Sequence, residues 1–245
     1  FKNWIEKRVY QRCDRFIVLS QAFGEILHQH YGVSQEKIHK IPGGVDTQRF
    51  QMSLSRCQAR AALGWPPNRQ ILFTPRRLVR RMGVDNLLQA VAAVKAEIPD
   101  VWLAIAGKGP QRAELEAQMA ELGLQDTVKF LGFLPEAQLP TAYQAADLTV
   151  IPSQALEGFG LVVLESLASG TPVLCTPVGG MPEIIQGFSP ELVTDTVGGD
   201  AIASHLQTHL ANPQQLPSRE ACRQFATERY SWPVIAQQVR QVLLA

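Results

Sequence analysis

The chain has 245 residues, 46% hydrophobic and 18% charged, with a formal net charge of +1 and an isoelectric point near 7.9. That composition is ordinary for a globular protein, and the length suits one large domain or up to two smaller ones. The near-neutral balance argues against a nucleic-acid-binding domain, which is usually distinctly basic. No apolar run approaches the roughly 18 to 20 residues of a membrane span.

The opening stretch, FKNWIEKRVYQRCDRF, is charged and amphipathic and lacks the apolar core of a signal peptide. It does not start with Met, which is consistent with a piece of something longer. A helix is expected there, followed by the strand RFIVLS (15–20), the helix QAFGEILHQHYG (21–32) and the extended segment KIHKIP (37–42). Residues 1–48 therefore read as the last units of a preceding α/β domain and a hinge. SLSRCQARAALGWPPNRQ (53–70) reads as a connecting helix and turn.

From residue 71 the pattern alternates. ILFT (71–74) predicts a strand and 84–98 a helix that stops before Pro99. Then come the strand VWLAIA (101–106), a helix over 111–122 and the strand VKFLG (128–132). A helix over 136–146, the strand LTVI (148–151), a helix over 160–169 and the strand VLC (173–175) complete the series. The strands are nearly continuous apolar runs, so both sheet faces must be covered. The expected fold class is α/β, with a doubly wound parallel sheet over 49–228. Ligands of such sheets bind at the carboxyl ends of the strands. The tail from Ser218 is helical in pattern throughout, and 229–245 is expected as a helix packing back toward the N-terminal part.

The stretch EGFGLVVLESLASGTPVL (157–174) concentrates the chemistry. Gly170-Thr-Pro is a helix stop, so a helix can run from about Gly160 to Ser169. Glycines at its start let a ligand approach the backbone, and the free N–H groups and dipole there attract an anion such as phosphate. Glu165 lies about 7.5 Å further along the axis, with its side chain leaning back toward the helix start. A carboxylate there can accept both hydroxyls of a ribose. Glu157, on the other side of the phosphate, can hold hydroxyls of a second sugar. A solvent-facing Glu165 is the bland alternative, but Val162, Val163, Leu164 and Leu167 leave few such positions. Arg77 follows the strand ending at Thr74, in a loop with four arginines on the same sheet edge. It suits a departing diphosphate, and otherwise a solvated basic loop. No D-x-D occurs, which argues against a carboxylate-held metal.

Other signals are weaker. The four cysteines form no CxxC and read as reduced, mostly apolar thiols. Gly107-Lys-Gly109 lacks the third glycine of a dinucleotide fingerprint and reads as a tight turn lining the site. His205 and His209 have i, i+4 spacing but no third ligand nearby, which favours an exposed helix face over zinc. Phe133 and Leu134 suit either a base pocket or core packing. Gly179-Gly180 before Pro-Glu183 starts a helix. Asp46 and Gly44 are expected to shape the hinge.

Glu157 to Glu165 resembles the E-x7-E segment of retaining glycosyltransferases of family 4, which have the GT-B fold of two Rossmann-like domains. KIHKIPGGVDTQRF, TPRRLVRRMGVDNLL, AGKGP, FLGFLP, ADLTVIPS and PVGGMPEII resemble further segments of that family in the family's order, over essentially the whole chain. The resemblance implies transfer of a sugar from a UDP- or GDP-sugar to an acceptor hydroxyl, with retained configuration and without a metal or other cofactor. It implies Glu157 and Arg77 as the catalytic pair at the donor sugar and diphosphate. Glu165 would hold the ribose, and the backbone from Phe159 through Gly160 and Leu161 to Val162 the diphosphate. Arg81, Gly107, Phe133, Gly180 and Glu183 would complete the donor site. The family's lysine is Met82 here, with Arg80 or Arg81 as a substitute, and Arg76 stands where the family has glycine. The acceptor, a glycan, lipid or small molecule, would bind the N-terminal domain, mostly absent here. The chain would then be a cytoplasmic donor-binding half with little activity of its own. A nucleotide-sugar epimerase of the same architecture and a non-catalytic nucleotide-sugar binding module are the alternatives.

Overall fold

The computed structural model describes residues 2–244. Two parallel sheets form. The smaller pairs β1 (Phe16–Val18) with β2 (Ile38–Lys40), with Phe16 opposite Ile38 and Val18 opposite Lys40. Helix α1 (Lys2–Gln11) precedes this sheet, and α2 (Gln21–Tyr31) makes the crossover that a parallel pair requires. Ser20 caps α2, accepting from the Phe23 N–H, and Gly32 closes it in the left-handed conformation.

The larger sheet contains β3 (Gln70–Pro75), β4 (Val101–Ala106), β5 (Val128–Gly132), β6 (Leu148–Ile151) and β7 (Val173–Cys175). All are parallel, in the order β5-β4-β3-β6-β7. Every residue of β4, β6 and β7 is buried, as the unbroken apolar runs require. Helices α3 (Arg56–Leu63), α4 (Val84–Glu97), α5 (Arg112–Glu121), α6 (Leu139–Ala145), α7 (Leu161–Ala168), α8 (Met181–Ile185), α9 (Gly199–Ala211) and α10 (Arg219–Tyr230) follow in chain order. Among them α4 packs on α9 and α5, α3 on α6, and α7 on α10 and α6. Trp65 meets Trp102 edge-on at 5.4 Å, and Phe73 meets Tyr143 at 5.3 Å. Asp147, just before β6, accepts from Arg60 Nη2 and the Ile71 N–H, both at 2.6 Å, and so ties α3 to β3.

Strand order reverses beside β3: the chain runs outward to β5 and returns to the other side of β3 as β6. The crevice beyond the carboxyl ends of β3 and β6 is the switch point where such sheets take ligands.

The helical tail is broken at Ser231, and α11 (Trp232–Leu244) starts afresh with Pro233 in its first turn. Val45 bridges to Ser231 and donates to the Tyr230 carbonyl at 2.8 Å, and Arg15 donates to the Val242 carbonyl. The tail thus touches the N-terminal part at both ends of α11. The expected exposed histidine face is corrected in part: His209 is buried, with Nε2 3.1 Å from the Glu191 carbonyl, because that side of α9 packs on the core. Among the described residues, no helix is long and apolar enough to cross a membrane.

Candidate active site

The segment after β6 reaches the crevice first. Ser153 and Glu157 lie on it, and Gly160 (φ +90°) caps α7 with no side chain of its own. First-turn N–H groups of α7 are therefore not covered by a capping side chain, the condition for an anion site. Phe159 is buried, Val162 half-buried, and Leu161 exposed. The turn after β7 lies against this segment. Gly179 has φ +62°, and a Cβ built on it would meet the Glu157 carbonyl oxygen at 1.7 Å. The next N–H, of Gly180, donates to the Gly158 carbonyl at 3.2 Å.

The two glutamates of the 157–165 segment have different environments. Glu157 Oε2 accepts from Ser153 Oγ at 3.0 Å and pairs with Arg76 Nη1 at 3.1 Å. Glu165 Oε2 accepts from the hydroxyl of the fully buried Tyr143 at 2.9 Å. Burial pushes the Glu165 carboxyl up from its ordinary 4.5, against the Tyr143 hydrogen bond and the charges of Arg49 and Arg76. Burial likewise pushes the Tyr143 phenol well above 10, helped by Glu165.

A raised carboxyl stabilises the fold below the unfolded value and loses that contribution as the pH rises through the folded value. Thermal midpoints of wild type and Glu165→Gln, measured from about pH 4 to about pH 7, should therefore diverge. Wild type should lose stability relative to the variant as the pH rises. A constant difference would contradict the burial argument.

The arginine loop is sorted by the fold. Arg77 is exposed. Arg80 pairs with Glu114 on α5 at 3.2 Å. Arg81 donates to the Leu156 carbonyl at 2.9 Å and accepts, through its own carbonyl, from the Gln154 N–H at 2.8 Å. It thus holds the loop that carries Glu157. Met82 is buried, with Sδ 3.9 Å from Ser153 Oγ. Arg76, not singled out from sequence for a role, is the buried one. The signal was its place in the ladder: its N–H donates to the Ala106 carbonyl at 2.8 Å, continuing β3 by one residue. Tyr143 and Ser153 were also missed, since each acts through a partner on another segment.

The remaining candidates spread around this centre. A Cβ on Gly107 would meet the Arg76 carbonyl at 1.8 Å, so its lack of a side chain lets the two loops touch. Phe133 is exposed, with Lys108 Nζ 5.5 Å from its ring centroid. Glu183 faces the N-terminal unit instead of the crevice: its carboxylate accepts from the Gln21 N–H at 2.8 Å and Lys40 Nζ at 3.1 Å. A cavity of about 280 Å³ opens between α2 and the Glu157 loop, lined by Phe23, Ile26, Leu156 and Glu157 among others. Among the described residues, no three His, Cys, Asp or Glu side chains gather as metal ligands would.

Residues 55–229 match the family described as glycosyl transferases group 1, and residues 1–49 match glycosyltransferase family 4. D-inositol 3-phosphate glycosyltransferase of Segniliparus rotundus is 32% identical over 235 residues, covering 94% of this chain and 52% of that protein. The GDP-mannose-dependent alpha-(1-6)-phosphatidylinositol monomannoside mannosyltransferase of Mycolicibacterium smegmatis is 32% identical over 205 residues, covering 80% and 53%. The chain spans about half the length of these curated relatives. Among solved structures, Anabaena Alr3699/HepE in complex with UDP and glucose superposes with a TM-score of 0.86 at 26% identity, over 98% of this chain and 66% of that one.

Proposed function

The chain belongs to the group 1 glycosyltransferases of family 4, with most of its length in the C-terminal domain, and from that premise we propose that it is the donor-binding half of a retaining, metal-independent enzyme. The donor is a UDP- or GDP-sugar and the acceptor a hydroxyl on a glycan, lipid or small molecule. The observation that supports this reading is that Glu157, the uncapped start of α7 and Glu165 follow one another on the segment after β6, beside the reversal of strand order in the sheet. The UDP-glucose complex of Anabaena Alr3699/HepE, with a TM-score of 0.85 and 27% identity, supports the donor class.

In this reading Glu165 accepts the ribose hydroxyls and the diphosphate lies on the first turn of α7. Glu157 accepts hydroxyls of the sugar to be transferred. The bond between the anomeric carbon and the diphosphate oxygen breaks, and the diphosphate leaves with the electron pair. The acceptor oxygen forms its bond on the same face and passes its proton to the departing diphosphate oxygen. Arg77, exposed on the loop after β3, stabilises the charge that grows on the diphosphate, together with the dipole of α7. Guanidinium and helix dipole supply the positive charge, which supports the metal-independent reading. All four cysteines are free thiols, which supports placement in the reducing cytoplasm.

The test is to incubate the chain with UDP-glucose or GDP-mannose, with and without simple sugar acceptors, and to follow the anomeric protons by NMR. The expected result is an intact donor, because acceptor binding belongs to the other half. Rapid transfer by this chain alone would contradict the donor-half reading. Epimer formation without acceptor would make it an isomerase.

A further inference from the structure

Of the four arginines in 76–81, Arg76 alone is buried, with its side chain only 6% exposed. A guanidinium is costly to take out of water unless it is paired and hydrogen-bonded. Its Nη1 lies 3.1 Å from Glu157 Oε2. Its Nη2 has only the Met181 sulfur, at 3.7 Å. Its Nε has no partner among the described residues. No other acidic side chain is in salt-bridge contact with Arg76 among the described residues. The buried cation is thus paired with the carboxylate that this reading assigns to the sugar.

Glu157 Oε2 also accepts from Ser153 Oγ, whose other neighbour is the sulfur of Met82. Positions 76 and 82 therefore both border the Ser153–Glu157 pair, Arg76 at Glu157 and Met82 at Ser153. Position 82 carries a buried thioether and position 76 the charge. Both polar contacts fall on Oε2, so they fix where that oxygen lies.

We propose that Arg76 is the positioning residue of Glu157, supplying from position 76 the positive charge that position 82 lacks, and so setting how well the site reads the sugar of a nucleotide sugar. The inference rests on the reading of Glu157 as the sugar contact.

It predicts a split between ligands. The 245-residue chain is titrated calorimetrically with UDP and UDP-glucose, and with GDP and GDP-mannose. Arg76→Met should weaken the nucleotide sugar about tenfold, the scale of one charge-assisted contact. Free nucleotide, which does not reach Glu157, should change by less than about twofold. Adding Met82→Lys to Arg76→Met should recover most of the loss, because the new ammonium replaces the thioether beside Ser153, next to the same carboxylate. A space-filling role for Arg76 would not be rescued by a charge at a different position.

If Arg76→Met does not fold, Arg76→Gln, which keeps polar atoms beside Glu157 without the charge, takes its place; it should fold and show the same selective loss. An unchanged Arg76→Met, an equal loss for nucleotide and nucleotide sugar, or no rescue by Met82→Lys would each overturn the proposal. Wild type that binds nucleotide while Arg76→Met behaves identically overturns this inference alone. Wild type that binds no nucleotide overturns the donor-site reading and this inference with it.

Discussion

Gly179→Ala is expected to cost about 3 kcal/mol of folding stability and to remove nucleotide-sugar binding. Two terms make up the cost. The residue sits at φ +62°, where a Cβ is disfavoured by roughly 1 to 2 kcal/mol. The same Cβ would stand 1.7 Å from the Glu157 carbonyl oxygen and 2.7 Å from its carbon. Backbone cannot rotate away as a side chain can. Either the turn after β7 or the Glu157 loop must shift, and the bond from Gly180 N–H to the Gly158 carbonyl goes with it, at about 1 kcal/mol. A shifted Glu157 loses Ser153 and Arg76 together. Gly123→Ala is the control. Gly123 has φ +66° with nothing within 4 Å of the added Cβ, so it carries the conformational term alone. Denaturant unfolding of both variants should show Gly179→Ala as the more damaging by about 1 to 2 kcal/mol. Equal losses would mean that the two loops do not touch as described.

Much of the fold was legible because β3, β4, β6 and β7 are covered on both faces. VWLAIA and LTVI have no polar face to show, and only a parallel sheet under helices accommodates that. The helix over 160–169 was legible from its glycines, and it forms as Leu161–Ala168 between Gly160 and Gly170. The break at Ser231 was written in the sequence as Trp232-Pro233, but a continuous amphipathic pattern on either side hid it.

The site was legible only in part, for a physical reason. A motif shows which residues share a loop, not what lies beneath them. Arg76 looks like any arginine of a basic loop until β3 is extended by one residue and Glu157, 81 positions later, closes over it. Tyr143 gives no local sign that its hydroxyl meets Glu165 from α6. Glu183 has the place in sequence of a ligand contact, yet Lys40 and the start of α2 claim its carboxylate. Each of these depends on contacts between distant segments.

Glu165→Ala carries the other large effect. Its carboxylate is held by Tyr143 at the side of α7 behind the uncapped first turn, in a half-buried setting where water competes poorly for its lone pairs. Two hydroxyl contacts from a ribose to a charged acceptor amount to about 3 kcal/mol, or roughly a hundredfold in affinity. Tyr143 would remain, with its buried hydroxyl unpartnered, so Glu165→Gln serves as a companion that keeps the Tyr143 contact. The measurement to make is calorimetric titration of wild type, Glu165→Ala and Glu165→Gln with UDP, GDP and ADP. The account predicts that wild type binds one nucleotide diphosphate, that Glu165→Ala loses that affinity about a hundredfold, and that Glu165→Gln falls between. Binding of no nucleotide by wild type, or undiminished binding by Glu165→Ala, would contradict the claim that this crevice is a nucleotide-sugar site read by Glu165.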